Sequence, residues 1–248
     1  MVDMRDRVAI VTGAGSGLGA ATALALARRG VRVAAADVSQ PRLGALAEKL
    51  QAATGAETAA RYLLLPLDVS SAGQVEAAVN QVVSTFGRID YLVNCAGIDY
   101  TLSLTDLSVE QFDRVLAVNL RGPFLLSRQV FPVMRAGGGG HIVNVASTAA
   151  IRTWANASAY TASKFGLVGL TRAIGVEGRP HNIRATTVFP GGMATSFFDR
   201  PDLEIKPDPE KLNDPANVAE AIVFVLAQPA GSVVQEMLVT PLTETSWP

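Results

Sequence analysis

A phenol and an amine four residues apart, Tyr160 and Lys164, are the residues of this sequence best suited to proton chemistry. On a helix that spacing puts both on one face, with Cβ atoms about 6 Å apart. A free phenol titrates near ~10. An ammonium held at that range favours the phenolate by roughly 3 kcal/mol at an effective dielectric near 20, or about two pK units. Such a phenol gives and takes a proton close to neutral pH. Thirteen residues before it, an apolar β-type run from Ile142 to Ala146 ends in the hydroxyl of Ser147. Taken alone, the spacing admits a second reading, with Tyr160 packed in a core and Lys164 solvated. Against that reading, Lys164 is the only lysine between Lys49 and Lys206 in a chain that otherwise takes its positive charge from arginine.

A second cluster has the composition of a phosphate site. Val8 to Thr12 is a short β-branched run that reads as a buried parallel strand. It leads directly into Gly13-Ala-Gly-Ser-Gly-Leu-Gly19, in which Gly13, Ser16, Gly17, Leu18 and Gly19 form the turn into a helix from Ala20 to Arg29. Glycines let the backbone approach a pyrophosphate, and the N–H groups and dipole of the first helical turn meet its charge. Tight turns and close helix packing also use glycine, but this position, straight after a buried strand, favours phosphate. The next strand, Val31 to Ala36, ends in Asp37, 18 residues after Gly19. A carboxylate there accepts both hydroxyls of an adenosine ribose and repels a 2′-phosphate. Its neighbours Ser16 and Val38 offer no compensating cation, which predicts NAD rather than NADP. The other reading of Asp37 is a helix N-cap or turn residue.

The remaining elements must carry these groups to one place. Helices are expected over Pro41 to Ala53, Ala72 to Phe86 and Ser108 to Arg135, the last opened by a capping box of Ser108 and Gln111. A further helix carries Tyr160 and Lys164 through Gly166 to Ile174, weakened at its end by Gly175 and Gly178. The last helix runs from Asp214-Pro215 to Gln228. Strands are expected at Tyr62 to Leu67, Ile89 to Asn94, Ile183 to Phe189 and Val233 to Val239. Asp68 falls at a strand's carboxyl end, where open sheets bind ligands. The small residues Cys95, Ala96 and Gly97 after Asn94 let the chain run close beneath an adenosine. Asn119, a poor mid-helix residue on an apolar stretch, either bonds a neighbouring carbonyl or holds a water or a lysine near the site. His141 reads as a loop residue and Cys95 as a small buried hydrophobe. Residues 194–214, polar and proline-rich with Phe197 and Phe198 near the start, read as a substrate lid.

Composition sets the bounds. With 248 residues, 49% hydrophobic and 17% charged, the chain suits one α/β domain over residues 1–248 with a core covered on both sides. A net charge of -1, with both signs interspersed, points to neither nucleic acid nor an anionic membrane as partner. Apolar runs stop well short of the ~18 residues a spanning helix needs. The first residues lack a signal peptide's apolar stretch, and a single cysteine, Cys95, agrees with a reducing cytoplasm. Two isolated histidines without a cysteine cluster argue against a metal site.

Together these residues resemble the short-chain dehydrogenase/reductases in their compact form. The likeness runs over about residues 6 to 230 and rests on Thr12-Gly13-x-x-x-Gly17-x-Gly19, Asp68, Asn94-Cys95-Ala96-Gly97, Asn119, Ser147, Tyr160-x-x-x-Lys164 and Pro190-Gly191. It implies a Rossmann-type doubly wound fold, with a seven-stranded parallel sheet and helices on both faces. Tyr160 is then the general acid or base on the substrate oxygen and Ser147 orients that oxygen. Lys164 binds the nicotinamide ribose and lowers the phenol's pKa, and Asn119 completes a relay through water. By the same resemblance Asp68 and Val69 flank the adenine, while Asn94, Ala96 and Gly97 lie along the adenosine. Pro190, Gly191, Met193 and Thr195 surround the nicotinamide. Ile151, Trp154, Gly192, Met193, Phe197 and Phe198 bound the substrate with Ser147 and Tyr160, and their apolar character suggests an apolar alcohol or ketone.

Three departures from the family pattern stand out. Cys95 replaces the commoner second Asn, Thr186 stands where Asn is frequent, and the C-terminal stretch from Gln235 lacks the usual Thr-Gly and Asp-Gly-Gly tail. The family implies a homo-oligomer, tetramer or dimer, whose form the altered tail leaves open. The expected function is NAD-dependent hydride transfer between nicotinamide and a secondary alcohol or ketone. The alternatives are an NADP-dependent ketoacyl-thioester reductase, which Asp37 disfavours, and a non-catalytic dinucleotide sensor, which the intact Asn119, Ser147, Tyr160 and Lys164 disfavour.

Overall fold

β-Branched and alanine-rich runs too apolar to face water on either side form the centre of the molecule. The computed structural model describes residues 2–55, 60–199, 203 and 208–244. Its strands are β1 (Val8–Thr12), β2 (Arg32–Asp37), β3 (Tyr62–Pro66), β4 (Tyr91–Asn94), β5 (Gly140–Val145), β6 (Ile183–Pro190) and β7 (Glu236–Val239). They pair in the order β3-β2-β1-β4-β5-β6-β7, every neighbour parallel. Every residue of β1 and β4 is buried, as expected of strands covered on both faces. Burying each Val or Ile side chain there contributes roughly 1.5–3 kcal/mol.

Helices α1 (Gly17–Ala27), α2 (Gln40–Thr54) and α7 (Pro215–Leu226) share one core layer with the odd residues of β1, through Leu26, Leu43, Leu46 and Ile222. Helices α3 (Ala72–Phe86), α5 (Gly122–Ala136) and α6 (Ser158–Gly178) cover the other face, through Val79, Val130 and Ile174. The chain winds outward from β1 to β3 and then returns to β4 on the other side of β1. This reversal opens a crevice at the carboxyl ends of β1 and β4, where open α/β sheets take their ligands.

The single long helix expected from Ser108 to Arg135 is interrupted. It consists of α4 (Val109–Leu116), a π turn (Ala117–Arg121) and α5. The physical reason is Pro123, which has no N–H to give the Asn119 carbonyl four residues back. Gly122 N–H donates instead to Ala117, five residues back, so the run slips by one residue at Asn119. The expected capping box at Ser108 and Gln111 is present. His141, expected in a loop, is instead the second residue of β5 and fully buried. Gly140 pairs with Ile183, so the ladder begins before the glycine turn has ended. Of the expected lid, residues 200–202 and 204–207 lie outside the described residues. Its two ends are joined: Met193 bridges to Asn213, with Asn213 N–H donating to Gly192 O and Ala194 N–H to Asn213 O, both at 2.9 Å.

Candidate active site

The glycine loop, Asp37 and Ser147 fall at the carboxyl ends of β1, β2 and β5. The β1–α1 turn brings Gly13 through Gly19 to the crevice, with Ser16 as the residue that opens α1. Gly17 has φ +50°, which a side chain rarely adopts, and a Cβ there would press on Thr195 at 3.1 Å. The glycine loop and the loop after β6 therefore face each other across the crevice. Thr12 fixes the third wall: its hydroxyl accepts the N–H groups of Cys95 and Ala96, each at 3.2 Å, which tethers the end of β4 to that of β1. The glycine loop at the N-terminus of α1 leaves its backbone open to a phosphate, and the residues present fit a dinucleotide.

Asp37 closes β2 beside this loop. Its two carboxylate oxygens accept the N–H groups of Gly15 and Ser39, both at 2.9 Å, and each keeps a lone pair for a further donor. Val38 is 68% exposed, so its side chain covers only the rim of the site. Arg42, in the first turn of α2, brings its Cβ close to the glycine loop at Gly15.

The carboxylate of Asp68 is engaged by protein groups. Burial would raise its pKa, but the hydroxyl and N–H of Ser70 and the guanidinium of Arg114 hold it below the usual carboxylate range. Val69 is buried against Gly122. The Asn94 side chain is turned away from the crevice. It donates to Asn144 at 2.7 Å, and Asn144 donates to Thr171 on α6 at 2.8 Å. At this position the backbone, and not the side chain, borders the site.

The catalytic candidates converge from three elements. Ser147 lies two residues past the end of β5, and its hydroxyl accepts Ala149 N–H at 3.1 Å and so keeps its own proton for another acceptor. The short 3-10 turn that follows, Thr148–Ala150, packs against α6, the helix that carries Tyr160 and Lys164. Lys164 is 4% exposed and donates to Val145 O at 2.8 Å, with Nζ 5.5 Å from the centroid of the Tyr160 ring. That distance is within cation–π range. Burial lowers the lysine's pKa to about 8, so the ammonium form predominates at neutral pH. The same burial pushes the Cys95 thiol up to about 12, in line with the packing role expected of it.

Asn119 is fully buried in the π turn. Its side chain accepts Ile98 N–H at 2.9 Å, and donates to Ile98 O at 2.9 Å and to Ser163 Oγ at 3.1 Å. It thus docks the loop after β4 onto α6. A Cβ on Gly97 would lie 3.5 Å from Asn119 Oδ1 and 3.6 Å from Lys164 Nζ, so the two groups border the same small space. Ser163, which also donates to Tyr160 O at 2.7 Å, was not anticipated. Its signal was its place immediately before Lys164 on the buried face of the helix.

The expected substrate walls divide into two sets. Phe197 lies on Tyr160 with ring centroids 5.7 Å apart, and Phe198 meets Phe197 edge-on at 5.6 Å. Ile151 and Trp154 are 43% and 49% exposed on the segment between Ser147 and Tyr160. Met193 instead packs toward the α1 and α7 layer, and Gly192 lies under Leu212, where a Cβ would come within 2.7 Å of its Cδ2. Thr195 caps the Ser196–Phe198 turn, and Gly191 N–H donates to Val239 O beyond Pro190.

A sequence model described as short chain dehydrogenase matches residues 7–203. The chain belongs to this family. D-threitol dehydrogenase of Mycolicibacterium smegmatis is 41% identical over 191 residues, covering 77% of this chain and 72% of that protein. Among solved structures, a metagenomic short-chain oxidoreductase in complex with NADP has a TM-score of 0.83 at 32% identity, covering 97% of this chain and 99% of that one. A 3-ketoacyl-(acyl-carrier-protein) reductase from Brucella melitensis complexed with NADH has a TM-score of 0.84 at 31% identity, covering 95% and 97%. As a member, this short-chain dehydrogenase is an oxidoreductase of alcohols and ketones that binds a nicotinamide cofactor. Among its described residues no helix is long and apolar enough to cross a membrane.

Proposed function

We propose that the protein is an NAD-preferring dehydrogenase/reductase of secondary alcohols and their ketones, with Tyr160 as the proton-transfer group. The observation that carries this reading is the convergence of Ser147, Tyr160 and Lys164 at the carboxyl edge beside the glycine loop. When bound, the nicotinamide supplies or accepts the hydride. Ser147 keeps a proton to hydrogen-bond the substrate oxygen, and Tyr160 delivers a proton to that oxygen or removes it. Lys164, cationic at neutral pH, favours the phenolate and is placed to bind the nicotinamide ribose. Asn119 and Ser163 fix the α6 segment that carries both. Asp37, with a free lone pair on each oxygen, takes the adenosine ribose hydroxyls and disfavours a 2′-phosphate. Pro190, Gly191, Met193 and Thr195 border the nicotinamide end, and Ile151, Trp154 and Phe197 bound an apolar substrate.

The whole chain acts as one catalytic domain. The apolar groove of Leu116, Leu120, Phe124 and Leu170 favours self-association, and the single cysteine suits a reducing, cytoplasmic setting. The test is Tyr160→Phe with a panel of secondary alcohols and ketones, followed by NADH absorbance. Turnover is expected to fall about 10²–10⁴-fold while NAD affinity by calorimetry stays nearly unchanged. Wild-type rates in that variant would sink the mechanism.

A further inference from the structure

Asp68 follows the end of β3 by two residues, and Leu67 N–H donates to Asp37 O at 2.9 Å. Asp68 therefore lies at the carboxyl edge of the sheet, beside the end of β2. Its carboxylate is held in a closed ring of hydrogen bonds. Oδ1 accepts the N–H and the hydroxyl of Ser70, at 2.9 and 2.7 Å. Arg114, in the last turn of α4, donates from Nη1 to Ser70 Oγ at 2.8 Å and from Nη2 to Asp68 Oδ2 at 3.2 Å. Arg121 of the π turn donates to Ser70 O at 2.5 Å, so two guanidiniums from one helical run grip the same turn. Among the described residues Oδ2 has no second donor and keeps a lone pair, on a side chain that is 31% exposed. A carboxylate oxygen is thus fixed in direction at the edge where the sheet takes its ligand.

We propose that Arg114 is a positioning residue for base recognition, holding the Asp68 carboxylate so that Oδ2 takes the 6-amino group of the cofactor's adenine. This rests on the dinucleotide reading above and deepens it at the adenosine end. An ionised carboxylate only accepts hydrogen bonds, so it favours a 6-amino purine and repels the carbonyl of a 6-oxo purine. The rigid fork of a guanidinium spans the Ser70 hydroxyl and Oδ2 together, which the point charge of an ammonium cannot copy. Without Arg114 the carboxylate keeps its Ser70 bonds through Oδ1, and Oδ2 loses the group that sets its direction. The Arg114 side chain is 43% exposed, and ion pairs so exposed add little to global stability. Its effect therefore falls on one lone pair and not on folding.

The experiment measures affinities for NADH and for its reduced hypoxanthine analogue, in which a carbonyl replaces the 6-amino group, by fluorescence titration. It uses the intact chain, Arg114→Ala, Arg114→Lys and Asp68→Ala. The intact chain is expected to bind NADH about tenfold or more tighter than the analogue. Arg114→Ala is expected to cut that preference to about threefold or less, by weakening NADH while leaving the analogue within about twofold. Arg114→Lys, which keeps the charge but not the fork, should recover part of the preference. A preference unchanged in Arg114→Ala but lost in Asp68→Ala overturns the role of Arg114. Equal weakening of both ligands by Arg114→Ala overturns it too, since a merely structural residue would act in that way. An intact chain that binds the two alike overturns the base contact itself. Adenine is common to NADH and NADPH, so tighter binding of NADPH by the intact chain overturns the NAD reading alone. The Arg114 variants are then compared on NADPH and its hypoxanthine analogue, with the same outcomes. Binding of neither dinucleotide overturns both readings.

Discussion

At the scale of single residues, the site is most exacting where backbone meets backbone. A Cβ on Gly19 would fall 2.1 Å from Gly13 O and 2.5 Å from Gly13 C, and neither atom can yield without reshaping the loop proposed to meet the pyrophosphate. Gly19→Ala is expected to weaken dinucleotide binding at least tenfold, measured by titration of NADH fluorescence. Gly44→Ala is the matched control. Nothing lies within 4 Å of its Cβ position on α2, so binding should be unchanged and stability raised by up to about 1 kcal/mol. Equal binding by the two variants would show that the loop does not hold the cofactor. Residues with an unusual spacing stood out as candidates from the sequence: the glycine loop, Asp37, and Tyr160 with Lys164. Ser163 did not, because it acts through Asn119, a neighbour distant in sequence, and an isolated Ser carries no pattern.

Among the elements, α6 carries two of the proposed catalytic groups, Tyr160 and Lys164, and the means of fixing it lie outside its own sequence. Lys164 is bonded to β5 through Val145 O, Ser163 to the π turn through Asn119, and Thr171 to β5 through Asn144. Thr171 Oγ1 accepts from Asn144 and donates to Leu167 O at 2.7 Å, completing a buried polar chain that begins at Asn94. Thr171→Val keeps the shape of the side chain but leaves the Asn144 amide without an acceptor. It is expected to cost about 1–3 kcal/mol, read from urea unfolding. Asn144→Ala combined with Thr171→Val should cost less than the sum of the two single changes, since one hydrogen bond is lost in either case. Additive losses would mean that the chain does not act as a unit. The extents of the helices followed from hydrophobic period and caps: α3 was read without error, and the Ser108 capping box was correct. The π turn was missed because the apolar period runs through it. Its cause is the missing N–H of Pro123, which is a backbone property and leaves no mark on side-chain patterning.

For the molecule as a whole, the least legible feature is a histidine that looked like part of a loop. His141 lies in β5 between Tyr91 of β4 and Arg184 of β6, and its Nε2 is 2.8 Å from Thr186 Oγ1. The Thr186 hydroxyl itself donates to Val234 O at 2.5 Å, so it accepts from His141, which assigns the ring proton to Nε2. Nδ1 is buried and has no hydrogen-bond partner among the described residues. A second proton would have to sit there without solvent. Burial, aided by the positive charge of Arg184, lowers the pKa of His141 to about 3. The departure at Thr186, where the family often has Asn, thus closes a link from β5 through β6 to the approach of β7. The sign of the pH effect follows. Between about 6.5 and 3 the unfolded chain binds a proton that the folded one refuses, so stability is full above 6.5 and falls as pH drops through that window. Tyr91, raised by burial, moves further from that window. The loss reaches about 2 kcal/mol by pH 5, or about 4–8 °C in melting temperature for a chain of this size. His141→Gln keeps a donor toward Thr186 but cannot take up the proton. Across pH 6.5 to 4.5 its unfolding free energy should fall less steeply than the wild type's, by about 1.4 kcal/mol per pH unit. The slope is the quantity to compare, since the variant's absolute stability at neutral pH also reflects its packing. Parallel slopes for the two proteins would show that His141 titrates alike in the folded and unfolded chains, and that the buried Nδ1 is not what limits stability in acid.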